Sequence, residues 1–233
     1  MARIVKEHAV RRNEILDVAQ RLVYTKGYEQ MTIQDILDDL QISKGAFYHY
    51  FGSKQALLEA IIERMLDEME EQFLLPIVHD AELSALEKLQ RFFDTLNWRK
   101  VAQKGFFLAL LRVWYTDDNA IVRQKLLLTG AKRIMPLLTE IIRQGVQEGV
   151  LTTSYPEQVG EAVLSLAQGL GDTLGQLLLS FDPKRDDMLR VERTVAVYTD
   201  ALERVLGAPS GSLQLADSQT LSEWFVSPET THK

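Results

Sequence analysis

A chain of 233 residues with 46% hydrophobic and 25% charged residues has the composition of a globular protein and not of a disordered one. It contains no cysteine, which excludes disulfides, thiolate metal sites and cysteine nucleophiles. Its four histidines, at 8, 49, 79 and 232, stand at no metal-ligand spacing, so no metal is expected. The net charge of −7 argues against nucleic acid as a partner until the charge is divided along the chain. Residues 1–54 carry 8 Lys/Arg against 7 Asp/Glu, whereas the remaining 179 carry 18 against 26. Arg3, Lys6, Arg11 and Arg12 crowd the first twelve positions against Glu7 alone, so a polyanion is approached at least cost there. The opening MARIVKEHAVRRNEIL lacks the apolar core of a signal peptide, and no run approaches the ~18–20 apolar residues that cross a bilayer. The expected location is cytoplasmic, with no membrane partner.

In chain order, nearly every long segment has helical period. Ile15, Leu16, Ala19, Leu22 and Val23 form one stripe in a helix over 10–25 that Gly27 ends. Thr32 caps a short helix over 32–40, a tight turn follows at Gln41, Ile42 and Ser43, and a third helix runs from Lys44 to Tyr50. Ser53 caps a fourth helix reaching Leu74, which Pro76 is expected to end. Larger helices are predicted near 82–98, 102–116, 118–148, 156–181 and 185–206, and after Gly207 a tail holds at most one weak helix near 218–226. No period-2 run survives, so the fold class is all-α. The expected organisation is a small helical domain over 1–54, a larger helical domain over 55–206 and a tail over 207–233.

The stretch TIQDILDDLQISKGAFYHYFGSK, residues 32–54, has the arithmetic of a helix-turn-helix. Ile36, Leu40, Ile42, Phe47 and Phe51 supply its core and leave Lys44, Gly45, Ala46, Tyr48 and His49 outside. Small residues let the backbone approach base edges; Lys44 offers donors to guanine, and the Ala46 methyl can meet a thymine methyl. Tyr48, Lys54 and the free N–H groups after the caps Thr32 and Ser53 suit phosphates. Spacing alone leaves open an ordinary helix pair with a merely exposed Tyr-His.

The run G-A-F-Y-H-Y-F-G-S-K-x-x-L-L, preceded by T-x-x-D-I and I-S-K, resembles the DNA-binding domain of the TetR (tetracycline-repressor) family over about residues 10–60. Beyond residue 60 the likeness is architectural. The resemblance implies a transcriptional regulator, not an enzyme, with no cofactor. It places Ser43, Lys44, Gly45, Ala46, Tyr48 and His49 on the recognition helix, and Thr32 and Lys54 at phosphate-contacting positions. Three departures accompany it. Gln41 stands where the family commonly has glycine, Asp38 and Asp39 make the second helix acidic, and Gln55 replaces an acidic residue.

In the carboxy-terminal part, Met188, Val191, Val195, Tyr198, Leu202 and Val205 recur at 3-4-3-4-3 spacing. Residues 159–181 are apolar nearly all round, with Gly160, Gly169, Gly171 and Gly175 among them. Two such helices per chain, near 156–181 and 185–206, are expected to form a homodimer; an intrachain core is the alternative. The middle helices hold Phe92, Phe93, Trp98, Phe106, Phe107, Trp114 and Tyr115, and the polar groups Arg112, Thr139, Gln168 and Asp172 lie in apolar stretches. A small-molecule effector site is placed at Trp98, Phe107, Arg112, Trp114, Met135, Gln168 and Asp172, the alternative being plain core.

The expected function is thus a sequence-specific regulator, a repressor released from a palindromic double-stranded DNA operator by a small, largely apolar effector. Two other classes compete. An all-helical enzyme needs Glu-x-x-His pairs, clustered aspartates, a phosphate loop or G-x-S-x-G, none of which is present. A helical dimeric adaptor or ligand-binding protein without DNA binding leaves Lys44, Tyr48 and His49 without a task.

Overall fold

The structure, a computed structural model, describes residues 2–102, 104–117, 120–180, 187–216 and 218–225. Its helices are α1 (Ala2–Lys26), α2 (Ile33–Leu40), α3 (Lys44–Tyr50), α4 (Lys54–Met69), α5 (Leu75–Val78), α6 (Ala85–Ala102), α7 (Lys104–Trp114), α8 (Ala120–Gln147), α9 (Val159–Ser180), α10 (Asp187–Leu206) and α11 (Ser218–Phe225). No strand occurs among the described residues. The chain forms two compact units, one holding the residues through Glu68 together with Gly105–Leu127, the other Met69–Lys104 and the described residues from Leu128 on.

In the first unit, Ile15, Leu16, Ala19 and Val23 of α1 meet Ile36 of α2, Phe47 of α3, Phe51 just after it, and Leu57 and Ile61 of α4 in one buried cluster. Leu40 and Ile42, expected in this core, are half-buried at its edge, and Ala109 of α7 packs against it. α1 starts earlier than its apolar stripe, because residues 2–12 hold no Gly or Pro to stop it. Ser53 caps α4 as predicted, its Oγ accepting the Ala56 N–H at 3.0 Å. Helical structure does not end at Pro76. A π-helical turn at Glu70–Leu74 follows α4, and Pro76 falls in the first turn of α5, where its missing N–H is not needed.

The second unit has its own core, in which Leu89, Phe92 and Phe93 of α6, Leu138, Ile141 and Ile142 of α8, and Val163 of α9 are all buried. The 3-4 seam of α10 belongs to this core. Val191, Val195 and Leu202 are buried within one chain, and Met188, Tyr198 and Val205 are half-buried against the cluster. The reading of these six side chains as an intersubunit seam is therefore corrected: the stripe faces α9 of the same chain, with Gly169 admitting the Tyr198 ring.

The tail is packed. Leu213, Leu215, Leu221 and Phe225 are each 5% exposed and join the core. The buried Glu203 carboxylate of α10 accepts the backbone N–H groups of Gly211 at 3.0 Å and Leu213 at 2.9 Å. Gln90 of α6 bonds both the N–H and the carbonyl of Gln214, each at 2.8 Å. Gly207 has φ 63° and lies against Thr152, where a Cβ would come within 2.1 Å of Oγ1.

Candidate nucleic-acid interface

α2 begins with a closed capping box. The Thr32 Oγ1 accepts the Asp35 N–H at 3.1 Å, and the Asp35 carboxylate accepts the Thr32 N–H at 2.8 Å. Lys26 of α1 adds an ion pair to Asp35 at 2.6 Å. Lys26 and the two Thr32 donors hold the Asp35 carboxyl down to about 2. α2 ends at Gln41, whose φ of 52° and ψ of 43° are left-handed, the one such non-glycine residue among those described. This opens the turn that lets Ser43 cap α3, its Oγ accepting the Ala46 N–H at 3.1 Å.

α3 buries Phe47 and presents the other side to solvent. Ser43, Lys44, Gly45, Tyr48 and His49 are exposed, and Ala46 is half-buried. Lys44 Nζ lies 5.9 Å from the centre of the Tyr48 ring. A Cβ built on Gly45 meets nothing nearer than the Ser43 Oγ at 3.9 Å, so the protein itself does not require a glycine there.

The eight residues expected at DNA thus divide. Six gather on and around α3. Thr32 closes the start of α2, its hydroxyl engaged with Asp35. Lys54 is held inside the unit, its Nζ 4.3 Å from the Tyr28 ring centre and 3.4 Å from the Glu29 carbonyl. Burial lowers the Lys54 ammonium and raises the Tyr28 hydroxyl. The acidic character of α2 is largely compensated. Asp39 is paired with Arg21 at 2.6 Å, and Asp38 accepts from the Gln34 amide at 2.7 Å.

Two residues that the sequence did not place at this face arrive from α1. His8 packs its ring against those of His49 at 5.5 Å and Tyr50 at 4.6 Å. Arg12 lies over the Phe51 ring at 5.3 Å. The signal for them was the excess of Lys/Arg at the amino end, which carries no information about which helix receives it.

The expected effector residues do not gather in this way. Arg112 and Asp172 are exposed, at variance with the expectation that they line an apolar interior, because each falls on the solvent side of its helix. Trp114, Met135 and Gln168 are half-buried, and Met135 packs where α8 meets Gly160 of α9. The side chains of Trp98 and Phe107 lie outside the described residues. Among the described residues no group of three or more His, Asp or Glu is arranged to hold a metal, and no helix is long and apolar enough to cross a membrane.

Residues 15–61 match the family model described as "Bacterial regulatory proteins, tetR family", and residues 112–188 match "Tetracyclin repressor-like, C-terminal domain". The HTH-type transcriptional repressor NemR of Escherichia coli strain K12 is 25% identical over 190 residues, 79% of this chain and 94% of its own. The crystal structure of E. coli NemR in its reduced form has a TM-score of 0.56 at 20% identity, covering 85% of this chain and 99% of the other. A TetR-family regulator from Pectobacterium atrosepticum reaches a TM-score of 0.63 at 19% identity, over 88% and 98% of the two chains. At these identities the solved structures share the fold. The helix-turn-helix and the helical unit after it are both matched by the family's own models, and the chain belongs to the TetR family of DNA-binding transcriptional regulators.

Proposed function

We propose that the protein is a homodimeric repressor that reads an inverted repeat with α3 and leaves it when a small, largely apolar molecule occupies the helical part of the chain. One observation carries the DNA reading: Gly45 sits within α3 facing open space, a residue the fold does not need and a close-approaching duplex does. Lys44, Tyr48 and His49 flank it as cation, phenol and imidazole. The repressor sense is taken from the relative named a transcriptional repressor. The dimer is supported by the outer face of α10, with Leu189 39% and Val197 66% exposed. Arg190, Arg193, Thr173 and Thr194 line an open groove of about 570 Å³ beside them. Exposed aliphatic side chains flanked by polar ones mark an association surface. The effector class rests on the aromatic residues that the sequence holds from Trp98 to Tyr115, and the absence of cysteine means that it acts without thiol chemistry. A coupling of ~1–3 kcal/mol between effector and operator suffices for release.

The test pairs sedimentation with DNA binding. Wild type is expected to sediment as a dimer and to protect two half-sites ~34–36 Å apart. Val197→Glu is expected to sediment as a monomer and to bind the repeat at least ~100-fold more weakly, because the two recognition helices are no longer linked. A wild-type monomer protecting one half-site contradicts the dimeric reading.

A further inference from the structure

His8 and His49 lie far apart in sequence, and folding sets their rings 5.5 Å apart with Tyr50 against both, at 4.6 and 5.2 Å. Both imidazoles are exposed, and His49 stands on the face of α3 that carries Lys44 and Tyr48. Among the described side chains, the charged groups around them have other partners. On α1, Arg11 is paired with Glu14 at 2.7 Å and Arg12 lies over Phe51. On α3, Lys44 lies over Tyr48, and at the start of α4 Lys54 lies over Tyr28. The carboxylates of α2 are engaged elsewhere, Asp35 by Lys26, Asp39 by Arg21 and Asp38 by Gln34. Among the described residues neither imidazole has a carboxylate partner.

We propose that His8 joins His49 in contacting the DNA backbone and that operator binding takes up protons through this pair, so that affinity rises as the pH falls. The inference rests on the reading of α3 as the DNA-contacting helix. Its physical basis is the change of partner. In the free protein the two rings pack on each other and on Tyr50, and no described carboxylate faces either. A phosphate brought against the pair is an acceptor with a full negative charge, which favours the protonated ring. A complex that sets phosphate against both rings is therefore stabilised by their protonation. Binding strengthens as pH falls through the range in which histidine titrates, near 6.5. Every unit of difference between the two states is worth about tenfold in affinity per proton.

The experiment measures the affinity for the duplex that wild type selects from a random pool, from pH 5.5 to 8 and at several salt concentrations. Wild type is expected to bind about tenfold or more tightly at pH 5.5 than at pH 8. Its salt dependence should steepen by about one counterion per imidazolium engaged. His8→Gln is expected to lose about half of the pH dependence. His8→Lys, with a permanent charge, is expected to bind more tightly than wild type at pH 8 and to keep only the share of the pH dependence that His49 supplies. His79→Gln, on an exposed residue after α5, keeps the wild-type profile. A His8→Gln profile or a His8→Lys profile that parallels wild type overturns the proposal. Selection of no sequence by wild type at any pH overturns the reading of α3 itself, which separates the two failures.

Discussion

Gly45 is the second residue of α3, and glycine within a helix is less favourable than alanine by up to about 1 kcal/mol. Nothing in the fold explains that cost, since an added Cβ has only the Ser43 Oγ within 4 Å. Gly45→Ala is therefore expected to melt at or slightly above the wild-type temperature. Gly45→Leu is expected to fold equally well and to lose on the order of 100-fold in operator affinity, about two base contacts' worth. Circular-dichroism melts and binding titrations on the same preparations check both halves, and undiminished binding by the leucine variant shows that duplex DNA does not approach this position. Glycine in a sequence gives no hint of which partner it spares; only the empty space beside it in the fold does. His8 is the converse case. Its type was visible in the sequence, but its neighbour on α3 is set by how α1 crosses the helix-turn-helix.

At the scale of elements, the helix-turn-helix was legible because its signals are local: Thr32 and Ser43 as caps, with Ile36 and Phe47 as buried anchors. Gln41, which stands where the family commonly has glycine, has a left-handed backbone. Such a conformation disfavours an L side chain by about 1–2 kcal/mol, and glycine's greater freedom when unfolded takes back part of this. Gln41→Gly is expected to raise stability by about 0.5–1 kcal/mol, a rise in melting temperature of roughly 1–4 °C. A lower melting temperature contradicts that balance. The tail was not legible, because its anchors are distant in sequence. Leu213, Leu215, Leu221 and Phe225 are interspersed with Ser, Thr and Gln, and the segment is held by Gln90 of α6 at Gln214 and by Glu203 of α10 at Leu213. Glu203→Ala leaves the Gly211 and Leu213 amides without their buried acceptor and is expected to cost about 2–3 kcal/mol in a denaturation experiment. A loss below ~0.5 kcal/mol shows that the tail is not held by this carboxylate. The α10 stripe misled for a related reason: a 3-4 spacing says that a helix face is buried, not whether α9 of the same chain or a second chain covers it.

At the scale of the whole molecule, an overall charge of −7 conceals a near-neutral amino-terminal part that pairs its acidic groups internally. Asp35 and Asp39 neutralise Lys26 and Arg21, which leaves Lys44, Arg12 and the two imidazoles for an external anion. The effector residues were the least legible part. Aromatic stripes are shared by cores and cavities, and Phe92 and Phe93 prove to be core. The central claim is that the exposed face of α3 reads DNA sequence, and selection from a random duplex pool tests it most directly. Wild type and the Lys44→Ala/Tyr48→Ala double variant are taken through the same rounds at moderate salt. Enrichment of one inverted repeat by wild type, absent with the variant, is the predicted result. Enrichment of nothing by wild type, or of the same repeat by both proteins, contradicts the claim.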